Sequence, residues 1–220
     1  MSEKYQLIIF DLDGTLLDTS PGIYNSVRYA EKQMGFAPIP DEQLREFVGP
    51  PPKQMYMRKY GVDEETALAA VRWHREYGRE KAVYEARVYP GMKDTLTVLK
   101  DRHYQLAVAT LKGQKIAERV LDNFHILRYF DAVIGMDDQE TRTKCETIRL
   151  SVRKVGHCER VLMVGDSVYD CIGAADAGVD FLAVTYGFGI QNDSDVAYPH
   201  VVGTAASPCE ILSVIESVAL

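Results

Sequence analysis

The sequence predicts an α/β fold built on a mostly parallel, doubly wound sheet, with a helical segment inserted into it. Two observations support this prediction: short apolar runs alternate with stretches of helical periodicity, and residues 20–87 show helical periodicity alone. Strands that are buried on both faces of a parallel sheet read as continuous apolar runs. Their alternation with helices is typical of a sheet whose two faces are covered by those helices.

Five apolar runs give the predicted strands. They are residues 5–10, 104–109, 131–135, 160–164 and 180–184. Helices are predicted between them, over residues 92–101, 115–123 and 144–155. A last helix begins at Pro208, because Ser207 can cap it and Glu210 completes a capping box.

Residues 20–87 break the alternation of strand and helix. Helical patterns cover residues 22–34, 41–47, 52–60 and 63–83, and breaks that contain Gly or Pro separate them. The segment is far longer than a crossover needs. We therefore interpret residues 19–87 as an inserted helical domain, and residues 1–18 with 88–220 as the core. Within the insert, the near-helical spacing of three aromatic residues predicts internal packing: Trp73, Tyr77 and Tyr84.

Composition and charge exclude several classes of function. The chain is 46% hydrophobic and 26% charged, and its net charge of −7 disfavours a polymeric nucleic acid as partner. The four cysteines form no CxxC pair or zinc spacing, which favours reduced thiols. No apolar stretch approaches the roughly 20 residues that span a bilayer, and the N-terminal residues lack a signal-peptide layout. We expect a cytoplasmic protein without a membrane partner; the sequence leaves its oligomeric state open.

Polar residues follow the apolar runs where a parallel sheet would bind a ligand, at the carboxyl ends of its strands. They are Asp11, Asp13 and Gly14 after the first run, Thr110 and Lys112 after the second, Lys144 beyond the third, and Asp166 and Asp170 after the fourth. Four carboxylates at one edge of a sheet would repel each other unless a cation neutralised them. A hard cation with oxygen ligands is expected, and Mg²⁺ fits such a site.

The order and spacing of these residues resemble the four motifs of the haloacid dehalogenase superfamily, specifically its phosphatases. Residues 11–15 (DLDGT) resemble the first motif, Thr110 the second, Lys144 the third, and Asp166 with Asp170 the fourth. The insert resembles the type-1 helical cap of phosphoglycolate-phosphatase-like members. The resemblance implies a Rossmann-like core beneath a mobile cap, and Mg²⁺-dependent hydrolysis of a small phosphomonoester. Cys145 departs from the pattern, since relatives often carry proline after the motif lysine.

The resemblance also implies a role for each residue. Asp11 would attack phosphorus to form an aspartyl phosphate, and Asp13 would act as general acid and then as general base. Thr110 and Lys144 would bind the phosphoryl group, and Lys112 is a further candidate for substrate contact. Gly14 would permit the tight turn that aims backbone N–H groups at phosphate. The metal would be held by Asp11, by the backbone carbonyl of Asp13 and by Asp166, with Asp170 acting directly, through water or by orienting Lys144.

Other functions remain alternatives. A phosphomutase of the same superfamily shares these motifs, and a phospho-accepting signalling domain also uses acids, a Thr and a Lys on a parallel sheet. A dehalogenase has no use for Asp13, which disfavours it. The substrate is open among phosphoglycolate, nucleoside 5′-monophosphates and sugar phosphates. Candidates in the insert for selecting it are Tyr24, Arg45, Gly49, Lys53 and Arg79.

Overall fold

The structure is a computed structural model that describes residues 5–137, 141–156, 158–196 and 198–218. The chain divides into two compact units. One unit consists of Met1–Asp18 with Val88–Leu220, and the other consists of Thr19–Arg87.

The first unit is built on a parallel sheet, which confirms the predicted fold class. Six strands form this sheet in the described part of the chain: β1 (Leu7–Phe10), β4 (Gln105–Gly113), β5 (Ala132–Met136), β6 (Val161–Gly165), β7 (Asp180–Val184) and β8 (Val201–Ala205). Their spatial order is β5-β4-β1-β6-β7-β8, and each neighbouring pair is parallel. Two short strands, β2 (Leu17–Asp18) and β3 (Arg87–Val88), lie where the chain leaves and re-enters this unit.

The position of β1 in the sheet decides which strand ends meet. β1 lies between β4 and β6, with Phe10 opposite both Val108 and Val164. All four residues of β1 are fully buried, as expected for a central strand covered on both faces. The residues that follow β1, β4 and β6 therefore emerge side by side at one edge.

Five helices accompany this sheet in the described residues: α5 (Met92–Asp101), α6 (Gln114–Asn123), α7 (Lys144–Val155), α8 (Val168–Ala177) and α9 (Pro208–Val218). Ile148 of α7 and Ala174 of α8 are fully buried against Leu7 and Ile9 of β1 in one apolar cluster. At the start of α9, the Glu210 carboxylate accepts hydrogen bonds from the Ser207 hydroxyl at 3.0 Å and from the Ala206 amide at 2.9 Å. This helix start therefore lies where the sequence predicts it.

Helix α8 and strand β8 were not among the elements predicted from the sequence. The second half of α8 reads Gly-Ala-Ala-Asp-Ala, so small residues hide the helical period of large apolar side chains. The β8 sequence, VVGTA, contains a glycine and only partly buried residues before Ala205, which weakens the strand pattern.

The second unit is helical, as predicted for the insert. It contains α1 (Ser20–Met34), α2 (Asp41–Leu44), α3 (Pro52–Tyr60) and α4 (Glu64–Glu80), with single 3₁₀ turns at 45–47 and 82–84. The rings of Trp73 and Tyr77 on α4 lie 6.2 and 5.5 Å from the ring of Tyr29 on α1, so both pack internally. Tyr84 is 61% exposed, and its predicted packing is wrong because it lies in the 3₁₀ turn after α4.

No helix in the described residues of either unit combines the length and apolar character that a membrane span requires.

Candidate active site

The loop after β1 turns tightly and carries the first acidic residue of the site. Asp11 continues the sheet, since its amide donates to Val164 O at 2.9 Å. The turn closes where Gly14 N donates to Leu17 O at 2.9 Å, with Gly14 at a φ of +85°. A Cβ on Gly14 would lie 2.3 Å from Oδ2 of Asp166. Both the left-handed backbone and this close approach therefore require glycine.

Lys144 is buried and makes hydrogen bonds to three oxygen acceptors. It is the first residue of α7, whose start is fixed by a capping box between Thr143 and Glu146. Its Nζ lies 2.5 Å from Oδ1 of Asp11, 2.6 Å from Oδ1 of Asp170 and 2.7 Å from Ala109 O. An ammonium group has three N–H donors, so these acceptors can occupy all of them.

Asp166 and Asp170 come from the end of β6 and the first turn of α8. The Ser167 hydroxyl donates to Oδ2 of Asp170 at 2.7 Å, within the capping box that begins α8. Oδ2 of Asp166 accepts from the amide of Phe188 at 2.7 Å and from that of Gly189 at 3.4 Å. Both carboxylates are therefore held in place by neighbouring donors.

Three of these carboxylates lie close enough to share one cation. One oxygen from each of Asp11, Asp166 and Asp170 lies within 4.8 Å of the others, and all three residues are buried. Lys144 offsets one of these charges, so the three carboxylates and this lysine together carry about two excess negative charges when fully ionised. Hard oxygen ligands with excess negative charge fit Mg²⁺ and disfavour softer metals that prefer nitrogen or sulfur ligands.

The buried carboxylates disfavour their own ionisation. Burial raises the pKa of Asp11 to about 8, with Lys144 opposing the rise and the neighbouring aspartates adding to it. Burial likewise raises the pKa of Asp166 to about 7, with Asp170 adding to it. For Lys144, burial acts to lower the pKa, but the charges of Asp11 and Asp170 hold it above its ordinary value. A cation among the carboxylates would relieve this repulsion.

Asp13 lies outside the three-carboxylate group and has a different partner. The Nζ of Lys112 lies 2.9 Å from Oδ1 and 3.0 Å from Oδ2 of Asp13. The amide of Lys112 donates to the Thr110 hydroxyl at 3.1 Å. Both Thr110 and Lys112 lie within β4, which a register shift after Ala109 extends to Gly113, rather than beyond its end. The site thus has an acidic side around Asp11 and an ion pair at Asp13.

The loop after β7 was not among the site residues predicted from the sequence. Phe188 and Gly189 bind Asp166 through their amides, and a Cβ on Gly187 would lie 2.4 Å from Oδ2 of Asp166. Gly187 and Gly189 lie three and five residues past the fifth apolar run, and this position is the signal for the loop in the sequence.

One hydroxyl in the first loop makes no hydrogen bond. Among the described residues, Thr15 Oγ1 is the buried side-chain polar atom that has no partner. The backbone of Thr15 is nonetheless held, because Tyr186 donates its hydroxyl to Thr15 O at 2.9 Å. The hydroxyl therefore contributes nothing to the visible network.

A parallel α/β sheet with clustered carboxylates and a buried lysine at its strand ends is typical of enzymes that act on phosphate groups with a divalent cation. Comparison with known proteins gives the family. Residues 8–184 match the family described as haloacid dehalogenase-like hydrolase. The chain belongs to this family, and it is a phosphatase.

Curated relatives cover most of the chain. It is similar to a 5′-nucleotidase of Pseudomonas aeruginosa (39% identity, 86% of this chain, 87% of the relative). It is also similar to the tyrosine-protein kinase PtkA of Mycobacterium tuberculosis (33% identity, 95% and 72%) and to a phosphoglycolate phosphatase of Agrobacterium fabrum (33% identity, 83% and 81%).

Solved structures show the same fold. A predicted phosphatase from Clostridium acetobutylicum superimposes with a TM-score of 0.86 at 32% identity, covering 98% of this chain and 99% of the other. A haloacid dehalogenase-like hydrolase from Streptococcus pneumoniae gives a TM-score of 0.87 at 30% identity, covering 95% and 97%. These matches confirm the resemblance predicted from the motifs.

Proposed function

We propose that the protein hydrolyses a small phosphomonoester with the help of Mg²⁺, through a phosphorylated Asp11. The observation that carries this proposal is the surroundings of Asp11: its carboxylate is buried, bound by Lys144 and grouped with Asp166 and Asp170 within 4.8 Å. A buried nucleophile beside fixed positive charge and a cation site suits attack on an anionic phosphate.

In the first step, a carboxylate oxygen of Asp11 forms a bond to phosphorus. The bond from phosphorus to the ester oxygen breaks, and its electron pair stays on that oxygen. Asp13 gives its proton to the leaving oxygen, so that a neutral alcohol departs and Asp13 becomes a carboxylate. Such proton transfer contributes about 10²–10⁴-fold to the rate.

In the second step, Asp13 takes a proton from a water molecule, whose oxygen attacks phosphorus. The bond between phosphorus and Asp11 breaks, which restores the Asp11 carboxylate and releases inorganic phosphate. Asp13 is protonated again and ready for the next cycle, and its ion pair with Lys112 represents the ionised form that it takes between the two steps. The same carboxyl group therefore serves as acid and base, which requires it to stay beside the reacting oxygen in both steps.

The remaining site residues bind and orient. Mg²⁺, when bound by Asp11, Asp166, Asp170 and the Asp13 carbonyl, would supply the positive charge that lets an anionic nucleophile approach phosphate. Thr110 and Lys144 would donate to the phosphoryl oxygens, and Gly14 would let backbone amides face them. Lys112 remains a candidate substrate contact. Its ammonium donates to Asp13, which would place it beside the leaving group.

The relatives support a small organic phosphoester as the substrate. A 5′-nucleotidase and a phosphoglycolate phosphatase are both among them. We propose that residues 19–87 form the cap domain and that residues 1–18 with 88–220 form the catalytic core. A phosphomutase remains the second candidate within the superfamily, since its chemistry starts with the same aspartyl phosphate.

The test is turnover of p-nitrophenyl phosphate and of a panel of metabolite phosphates, with Mg²⁺ and with EDTA. We expect sustained, Mg²⁺-dependent phosphate release that falls below about a hundredth in Asp11→Asn, because an amide cannot replace the nucleophile. Asp94→Asn, at an exposed position on α5, is the matched control and should retain full activity.

Three outcomes would contradict the proposal. Activity above a hundredth of wild type in Asp11→Asn would exclude Asp11 as nucleophile. A single phosphorylation event without turnover would favour a signalling domain. Transfer of the phosphoryl group to a sugar phosphate instead of water would favour the phosphomutase.

A further inference from the structure

We propose that Lys112 is a positioning residue for Asp13, holding the acid–base carboxylate beside the leaving-group oxygen rather than binding the phosphoryl group itself. The inference rests on the proposed function, because it assigns Lys112 a role in the proton transfers of that reaction.

The first observation is the geometry of the ion pair. The Nζ of Lys112 is almost equidistant from the two oxygens of Asp13, at 2.9 and 3.0 Å. Both side chains are largely buried, with 16% of Lys112 and 10% of Asp13 exposed. Contact with both oxygens restricts the rotation of the carboxylate about its terminal bond more than contact with one oxygen would.

The second observation is that the backbone of Lys112 is itself fixed. Its amide donates to the Thr110 hydroxyl at 3.1 Å, within the extension of β4. Its carbonyl oxygen approaches β5 so closely that a Cβ on Gly135 would lie 2.6 Å from it. The Gln114 side chain joins the same strands, since it accepts from Gly135 N at 2.6 Å and donates to Val133 O at 3.0 Å. Lys112 therefore reaches Asp13 from a rigid support.

A third observation separates Lys112 from the group around the nucleophile. The ammonium of Lys144 donates to Asp11, Asp170 and Ala109 O. The ammonium of Lys112 donates to Asp13. The two lysines, one buried and one partly buried, thus bind different carboxylates. Loss of Lys112 should impair the proton transfers that use Asp13 and leave the contact between Lys144 and Asp11 in place.

The test uses this difference. An alkyl phosphate needs a proton from Asp13 when its alcohol leaves, whereas p-nitrophenolate is stable enough to leave without one. The quantity to measure is kcat/KM, because it covers the steps up to departure of the leaving group and excludes the later hydrolysis of the phosphoenzyme. A series of aryl and alkyl phosphates is compared between wild type and Lys112→Met.

We expect Lys112→Met to lower kcat/KM at least about tenfold for alkyl phosphates and less than about threefold for p-nitrophenyl phosphate. Lys115→Met, an exposed lysine on α6, is the matched control and should change neither value. In Asp13→Asn the added Lys112→Met should have no further selective effect, because two residues acting through one group are not additive.

A uniform loss across the series would overturn the inference and indicate a phosphate contact, and so would an unchanged kcat/KM for alkyl phosphates. Lys112→Gln keeps an amide donor near Asp13 and is the control in case Lys112→Met fails to fold. Its kcat/KM should also fall more for alkyl phosphates than for p-nitrophenyl phosphate, by a smaller factor than in Lys112→Met. Failure of the proposed function would look different, because wild type itself would then show no Mg²⁺-dependent turnover or Asp11→Asn would remain active.

Discussion

The Nζ of Lys144 lies 2.5 Å from Oδ1 of Asp11, although 133 positions separate the two residues in the sequence. The contact joins the first turn of α7 to the end of the central strand β1. It also places a fixed positive charge on the proposed nucleophile before any substrate arrives. Pre-organised charge of this kind avoids reorganisation during the reaction.

Replacing Lys144 by Met should destabilise the protein as well as inactivate it. The substitution leaves Asp11 and Asp170 buried without their cation, and breaking a buried pair in this way costs about 3–5 kcal/mol. The free energy of unfolding, measured in urea at pH 8 with EDTA, should fall by that order. Lys154→Met, an exposed lysine on the same helix, should leave it unchanged; equal stability of the two variants would contradict the buried pairing.

Stability without metal should fall as the pH rises. Burial raises the pKa of Asp11 to about 8 and that of Asp166 to about 7, above the value of 3.8 for an unperturbed aspartate. Between the pKa of an unperturbed aspartate and the raised pKa of these two residues, the folded protein binds more protons than the unfolded chain. The free energy of unfolding therefore decreases as the pH rises. We expect a loss of at least about 1 kcal/mol from pH 5 to pH 8 in EDTA.

Mg²⁺ should reverse this loss, because it binds the ionised carboxylates and competes with protons. Urea unfolding at both pH values with and without MgCl₂ measures the effect, which should be larger at pH 8. Asp166→Asn removes one of the titrating groups and should flatten the profile in EDTA. A stability that is independent of pH and of Mg²⁺ would argue against a cation site in this cluster.

Gly14→Ala should damage the site more than a backbone effect alone explains. Gly91→Ala is the matched control, because Gly14 and Gly91 have nearly equal φ values of +85° and +83°. A Cβ on Gly14 would lie 2.3 Å from Oδ2 of Asp166, whereas a Cβ on Gly91 would have no neighbour within 4 Å. Left-handed strain costs about 1–2 kcal/mol in either variant. Thermal unfolding and Mg²⁺ titration calorimetry should show an additional loss of stability and of metal affinity for Gly14→Ala only. Equal losses of stability and of metal affinity in both variants would contradict a role for the close approach of Gly14 to Asp166.

Thr15→Val should be tolerated. The Thr15 hydroxyl is buried without a partner, and valine keeps the shape while removing that unsatisfied group. The free energy of unfolding should stay level or rise by up to about 1 kcal/mol, and kcat/KM should remain within about twofold. Thr15→Ser keeps the hydroxyl and loses a methyl group, which should cost about 1 kcal/mol. A tenfold loss of activity in Thr15→Val, with Thr15→Ser still active, would give the hydroxyl a catalytic role.

The sequence predicted the ends of β1 and β6 because Asp11 and Asp166 directly follow continuous apolar runs, whereas it placed the end of β4 too early, before Thr110. Asp11 and Asp166 could be placed at one edge because the carboxyl ends of parallel strands meet there. The partners of these residues could not be predicted in the same way. The pairing of Lys112 with Asp13 depends on the register shift that extends β4, and apolar periodicity carries no information on such a shift.

The support of Asp166 escaped prediction for another reason. Its hydrogen bonds come from backbone amides of Phe188 and Gly189, and a backbone donor has no signature in residue identity except the glycines that allow its approach. Helix α8 was missed because its small residues show no apolar stripe, although the capping pair Ser167 and Asp170 marks its start. Caps identify such helices better than hydrophobic periodicity does.

The chain leaves the core after β2 and returns at residue 88, and within the core Tyr89 N donates to Leu16 O at 3.3 Å. Exit and return are thus neighbours, and every proposed reacting group is encoded outside residues 19–87. A change in the length of residues 19–87 therefore need not displace the proposed reacting groups, because the core sheet sets their positions. Under the proposed function, the core would set the reaction and the insert would set the preference for a substrate.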